Sequence, residues 1–448
     1  MIEFNFKFVL KSAIGGNGLD ESEIRSLKFE LARARDYLYE LRKRREIGFY
    51  DEISKTGLLT EIKGAADKVF SGKIDTLFVF GMGGSSLGGI FLQEALGRVG
   101  RIPGRDVIFS ENIDPFHLHR QLDGIDVEKT MFCFVSKSAN TIETVSQFFI
   151  ILDILKKSVS DYKSHLMFIT DKESGFLRRF ADENGILTLD IPKNIGGRYS
   201  IVTAGTLFPA HVMGFDIEKF LHGAVLYRDQ SLNRNIFENN PLYTMAAVIY
   251  LFYKRKNRNI LVINPYTDYL REFSRWFRQL FAESLGKNLL SPTPVPAVGA
   301  TDQHSQLQLY MQGPQDKLIS FFYLKNPGQD FKISPGEFKE FNYLNGRNLS
   351  NLLLNELKGV EYALAINRRP SFRITIDKID EFTMGELSFM CMEAVAVLGM
   401  LLEINPFDQP GVEKGKKFSY LLMGKEAAEE GEEVSEMKRL DGIPDMPY

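Results

Sequence analysis

Short apolar runs alternate along much of the chain with longer segments whose apolar positions recur at helical spacing. Thr76–Phe80, Val107–Ser110, Met131–Val135, Leu166–Thr170 and Ile186–Ile191 each have the length of a buried strand. Each is separated from the next by enough residues for a crossover helix. A second series follows at Asn259–Asn264, Leu318–Leu324 and Phe372–Ile376, with helical stretches between them at Asp268–Leu285 and Met384–Glu403. Near-continuous apolar strands need cover on both faces, so the pattern predicts an α/β protein with doubly wound parallel sheets and flanking helices. Ahead of them, Glu21–Phe70 is rich in Glu, Arg, Lys and Leu and reads as helices with charged outer faces. The expected division is a helical segment over 1–60, α/β domains over 61–210 and 211–425, and a helix and tail over 426–448.

Composition narrows the function classes. Of 448 residues, 44% are hydrophobic and 25% charged, the balance of a globular protein. The 55 Lys and Arg residues against 58 Asp and Glu leave a net charge of −3, which gives no general attraction to nucleic acid or an acidic membrane. Two cysteines cannot build a disulfide framework or a thiolate metal site. Cys133 and Cys391 lie in apolar runs and read as core residues. No His pair has metal-ligand spacing. The uncharged stretch Tyr199–Phe215 holds Pro209 and His211 and makes a poor membrane span. A cytoplasmic protein that uses neither metal nor cofactor is the expectation.

Six segments carry candidate chemistry. Gly81-Met82-Gly83-Gly84-Ser85-Ser86-Leu87-Gly88-Gly89 follows a strand directly. Glycines there let the backbone approach a ligand, and the next helix N-terminus favours an anion. A dinucleotide fold competes for this motif, with Glu111 at roughly the right distance for a ribose, but Ser86 stands where the third glycine belongs. Ser136-Lys137-Ser138-Ala139-Asn140-Thr141-Ile142-Glu143-Thr144 also follows a strand. Its hydroxyls, backbone N–H groups and single Lys suit a phosphate monoester, and Ser138 is placed to cap the following helix. Gly196-Gly197-Arg198-Tyr199-Ser200 aims one guanidinium from a tight turn. In the fourth segment Gln279 and Glu283 share a helix face, and Gly286 ends that helix. Glu283 then sits where the helix dipole opposes its charge, which suits a proton acceptor. The fifth is Thr301–Leu309, where His304, of six histidines, stands among the most hydrogen-bonding side chains. The sixth is Phe407–Lys416, in which Pro410 fits a helix start and Glu413 and Lys416 an ordinary i,i+3 pair.

Together and in order, these segments resemble the glucose-6-phosphate isomerase (phosphoglucose isomerase) family, bacterial type, whose members carry two sugar-isomerase (SIS) domains. Departures are small: Met82 replaces a common Ile, and Ala139-Asn140 stands where members commonly have Gly or another small residue followed by Thr. The resemblance implies reversible interconversion of glucose 6-phosphate and fructose 6-phosphate through ring opening and an enediolate. It implies a phosphate grip of Ser136, Lys137, Ser138 and Thr141, with Gly84 and Ser85 lining the sugar. Glu283 would be the base between C1 and C2, and Arg198 the group that steadies the enediolate. His304 and Lys416 would open the ring, Glu143 would orient His304, and Gln279 and Gln409 would contact substrate. A homodimer with His304 donated across the interface is also implied. Rival readings are a dual glucose/mannose phosphate isomerase, a non-catalytic sugar-phosphate-binding regulator and a nicotinamide-dependent oxidoreductase.

Overall fold

A computed structural model describes residues 2–97, 102, 104–233, 235, 237, 240–425 and 432–443. Among these, the strands are β1 (Ile2–Asn5), β2 (Thr76–Gly81), β3 (Asp106–Ser110), β4 (Thr130–Ser136), β5 (Leu166–Thr170), β6 (Leu187–Asp190), β7 (Ile260–Tyr266), β8 (Thr293–Pro296), β9 (Lys317–Leu324) and β10 (Ser371–Ile376). They form two five-stranded sheets, in the orders β3-β2-β4-β5-β6 and β1-β10-β9-β7-β8. All pairings are parallel except β1 with β10, which run antiparallel with Ile2 opposite Ile376.

The eight runs expected to be strands are strands, within a residue or two of their expected ends. Two strands escaped the hydrophobic pattern. The segment 1–60, expected to be helical, begins with β1, whose alternately half-buried and exposed residues edge the second sheet. β8 is Thr-Pro-Val-Pro; its prolines cost ladder bonds, which an edge position tolerates. The rest of that segment holds the expected helices, at Glu21–Ser26, Lys28–Lys43, Phe49–Glu52 and Thr56–Phe70, the last extending past residue 60.

The first sheet is filled by stacked rings. Phe80 and Phe134 have centroids 4.8 Å apart, Phe134 and Phe168 5.7 Å, and Phe148 meets Phe134 edge-on from the helix Ile142–Ser158. Cys133 and Cys391 are fully buried, and burial pushes both thiols well up from their ordinary value, as core residues require. The helix Glu381–Leu401 is long and apolar enough to cross a membrane, yet it is almost wholly buried inside the fold. It packs on the helix Ile217–Asn233 through two glycines. A Cβ on Gly223 would lie 1.9 Å from the Phe382 carbonyl oxygen, and one on Gly385 1.9 Å from that of Phe220.

Contacts divide the chain into Met1–Pro406, which holds both sheets, and Phe407–Tyr448. The second unit contains the turn Pro410–Val412 and the helices Glu413–Leu422 and Glu432–Asp441. Of the expected helix and tail over 426–448, residues 426–431 and 444–448 lie outside the described residues.

Strand order locates the ligand crevices. In the first sheet the chain leaves β2 for β3 on one side, then returns to β4 on the other. The loops at the carboxyl ends of β2 and β4 therefore diverge and leave a crevice at this topological switch point. In the second sheet β7, flanked by β8 and β9, has the same relation to its neighbours.

Candidate active site

The two loops at the first switch point are the glycine-rich and the hydroxyl-rich motifs. After β4, the Ser136 and Thr141 hydroxyls are 3.0 Å apart and those of Ser138 and Thr141 3.2 Å apart. The expected cap is corrected here. Thr141, not Ser138, is the N-cap residue of the helix Ile142–Ser158, and its hydroxyl is turned to the two serines rather than to the helix. Ala139 has φ 53, a conformation glycine adopts without strain. Burial pushes the Lys137 ammonium down from its ordinary value, opposed by the carboxylate of Asp171 and reinforced by the guanidinium of Arg198. Lys137 and Arg198 thus feel one another as neighbouring positive charges.

After β2, each glycine has a separate reason. Gly83 has φ 56, and a Cβ there would lie 2.7 Å from the Gln279 side-chain nitrogen. Gly84 is buried, and its Cβ would lie 2.1 Å from the Gly197 carbonyl oxygen. The Ser200 hydroxyl donates to the Gly84 carbonyl at 2.9 Å. Gly84 thus serves backbone packing against the Arg198 segment, a role the motif alone did not reveal. Ser85 is half-buried beside it. The competing dinucleotide reading loses its acidic residue: Glu111 pairs with Arg275 at 2.8 Å.

Arg198 is a buried charge held by neutral oxygens. It is 2% exposed, and its Nε donates to the Ser284 hydroxyl and its Nη2 to the Pro406 carbonyl, both at 2.7 Å. Tyr199 shares both partners, at 3.3 Å and 3.4 Å. Arg198 Nη1 lies 3.6 Å from Glu283 Oε1. Glu283 stands in the last turn of the helix Arg271–Leu285, capped by Gly286 as expected. Gln279, one turn earlier, donates to its other oxygen at 3.1 Å. Phe273, Trp276, Phe277 and Leu280 anchor that helix in the core. Three motifs far apart in sequence thereby meet: Gly83 with Gln279, Gly84 with Gly197, and Arg198 with Glu283.

The family model for phosphoglucose isomerase matches residues 53–324 and 357–438. The chain belongs to the phosphoglucose isomerase family. It is 36% identical to the glucose-6-phosphate isomerase of Carboxydothermus hydrogenoformans, with 98% of each chain covered. A crystal structure of a hypothetical protein from Thermus thermophilus superposes with a TM-score of 0.85 at 29% identity, covering 95% of this chain and all of that one. The crystal structure of a glucose-6-phosphate isomerase from Chlamydia trachomatis shares the fold, with a TM-score of 0.80 at 20% identity, covering 98% and 91%.

Four further residues are singled out by the family motifs. His304 is exposed on the turn Thr301–His304, beyond the carboxyl end of β8. Asp302 fastens that turn by accepting from the Val298 backbone N–H at 2.6 Å and the Ser305 hydroxyl at 2.5 Å. Glu143 is half-buried in the first turn of Ile142–Ser158. Among the described residues, no hydrogen bond or ion pair joins Glu143 to His304. Gln409 and Lys416 belong to the second unit, where both are exposed and Lys416 pairs with Glu413 at 3.0 Å. Motif reading passed over Ser284, Tyr199 and the Pro406 carbonyl. Ser284 was within reach, because it adjoins Glu283 in the same motif. The carbonyl carries no side-chain signal at all. Among the described residues, no cluster of three or more His, Cys, Asp or Glu side chains is arranged to hold a metal ion.

Proposed function

We propose that this chain catalyses the reversible interconversion of glucose 6-phosphate and fructose 6-phosphate, as a cytoplasmic, metal-independent isomerase of glycolysis and gluconeogenesis. One observation carries the reading: the Glu283 carboxylate, held by Gln279, lies 3.6 Å from the clamped Arg198 guanidinium. Moving a proton between adjacent carbons needs a base over both and a fixed positive charge for the oxyanion that forms. Glu283 takes the proton from C2 and returns it to C1, and Arg198 stabilises the enediolate oxygens. The phosphate does not react. Ser136, Lys137, Ser138 and Thr141 bind it, and that remote binding energy holds C1 and C2 over the base.

Glu283 and Arg198 leave ring opening to another acid-base pair. We assign that step to His304 and Lys416, with Glu143 orienting His304 and Gln279, Gln409, Gly84 and Ser85 contacting the sugar. The exposure of His304, and its lack of a bond to Glu143 within one chain, support a homodimer in which each His304 serves the partner's site.

A coupled assay tests the reading. Fructose 6-phosphate is supplied with a metal chelator, and glucose 6-phosphate is detected with an NADP-linked dehydrogenase. Mannose 6-phosphate is run in parallel as the starting sugar. Turnover is expected from fructose 6-phosphate, with kcat lowered at least about 10²-fold in Glu283→Gln. No turnover from an intact dimer would leave a sugar-phosphate binder instead, and near-normal turnover in the variant would remove Glu283 from the mechanism.

A further inference from the structure

The second sheet has its own cavity at the place where the first sheet holds the sugar-phosphate loops. A space of about 750 Å³ opens at the carboxyl ends of β7 and β9, within the range of small-molecule sites. Tyr266, Tyr269, Tyr323 and Phe331 supply aromatic rings, and Asp330 and Glu356 supply carboxylates. Pro327, Leu349 and Leu353 extend the apolar wall. No Lys, Arg or His lines it. The contrast with the loop after β4 is chemical: that loop offers hydroxyls and Lys137 to an anion, whereas this cavity offers rings and negative charge.

The inner wall is set before a ligand arrives, and Phe331 and Leu349 stand at its exposed rim. Tyr266 is buried, its hydroxyl accepts from the Gln303 amide at 2.9 Å, and its ring packs against Phe321 at 5.6 Å and beside Gly299. Tyr323 is 8% exposed. The Asp330 carboxylate is engaged by the Ser350 hydroxyl, the Ser350 backbone N–H at 3.1 Å and the Phe331 backbone N–H at 2.8 Å. These bonds keep it ionised and tie the loop to the helix Leu349–Ile366. Glu356 is half-buried and has no hydrogen-bond or ion-pair partner among the described residues. Asp330, Phe331 and Glu356 all lie in residues 325–356, between the two stretches that the family model matches. None of the lining residues belongs to the site assigned to the sugar phosphate.

We propose that this cavity binds an organic ammonium ion with an apolar body, an aryl-alkyl amine being the class that matches it. The body lies among the rings and leucines, where burial of apolar surface drives binding. The ammonium group sits between ring faces and the Glu356 carboxylate. A cation there gains from the ring quadrupoles as well as from the carboxylate, and more so when partly desolvated. An anion of the same shape meets two carboxylates and no compensating charge.

The test is calorimetric titration of the full-length protein with three probes of one shape: phenethylamine, 2-phenylethanol and phenylacetate. Phenethylamine should bind at least about tenfold more tightly than 2-phenylethanol, the size of a partly desolvated cation–π and carboxylate contact, and phenylacetate more weakly than either. Glu356→Gln should erase the amine's advantage, and Glu356→Lys should transfer it to phenylacetate. Isomerase turnover, measured on each variant, reports that the chain is folded and tests the catalytic reading independently. Equal binding of amine and alcohol would overturn the proposal. An amine preference that survives Glu356→Gln would do the same, as would no binding to a protein that turns over, the outcome expected if a second copy of the chain covers the cavity.

Discussion

Glu393 lies in the middle of the buried helix Glu381–Leu401, is 1% exposed, and accepts a hydrogen bond from the Ser231 hydroxyl at 2.6 Å. Burial pushes its carboxyl from the ordinary 4.5 up to about 7, against the opposing effect of hydroxyls from Ser231, Tyr50 and Tyr243. The folded protein therefore holds this proton more tightly than the unfolded chain does. The resulting stability is complete below pH 4.5, declines as pH rises, and is lost once pH passes about 7. The full displacement corresponds to about 3 kcal/mol. Glu393→Gln keeps an acceptor for Ser231 and carries no charge at any pH. Its stability relative to the parent should thus rise by about 2 kcal/mol or more between pH 5 and pH 8. Urea unfolding at the two pH values, followed by fluorescence of the single tryptophan, the buried Trp276, measures this directly. A pH-dependent difference below about 0.5 kcal/mol would refute the reasoning, because a carboxyl ionised in both states gains nothing from neutralisation.

Three further outcomes follow from the site. Lys137→Ala should raise KM for fructose 6-phosphate at least about tenfold while kcat changes less, as expected for loss of a charge-assisted hydrogen bond to the phosphate; equal affinity in titrations of parent and variant would count against the phosphate grip. Ser284→Ala removes the acceptor of Arg198 Nε and should lower kcat about tenfold with little change in KM, since a buried cation that loses a partner costs about 1.5–3 kcal/mol in position or stability; unaltered kcat would mean that the Ser284 hydroxyl does not position the guanidinium. Gly84→Ala forces backbone against backbone at Gly197, so activity should fall at least about 10²-fold through displacement of Arg198, visible in steady-state kinetics; an active variant would show that the two loops can part without loss.

The sheets were legible because a buried parallel strand leaves a mark that needs no partner to read. Leu166–Thr170 and Phe372–Ile376 are apolar whichever strand lies beside them. The local form of single motifs was legible for a similar reason. A strand followed by glycines, or by serines and a lysine, has few uses, and the helix carrying Gln279 and Glu283 could be drawn with its Gly286 stop from spacing alone. β1 and β8 left no such mark. One is held by its pairing with β10, and the other is a proline-bearing edge of β7.

Tertiary structure alone decided which motifs meet and what each side chain touches. Gly84 carries a packing role that its motif does not announce, with the Gly197 carbonyl oxygen 2.1 Å from its would-be Cβ. Glu111 reads as a ribose acid until Arg275 is found on it. Arg198 owes its fixed charge to Ser284 and Pro406, residues far along the chain and, in one case, a bare carbonyl. Residue types and their spacing follow from local order along the chain, so one sequence reveals them. The pairing of a buried charge depends on which distant segments the sheets bring to the same crevice, and only the packed fold specifies that.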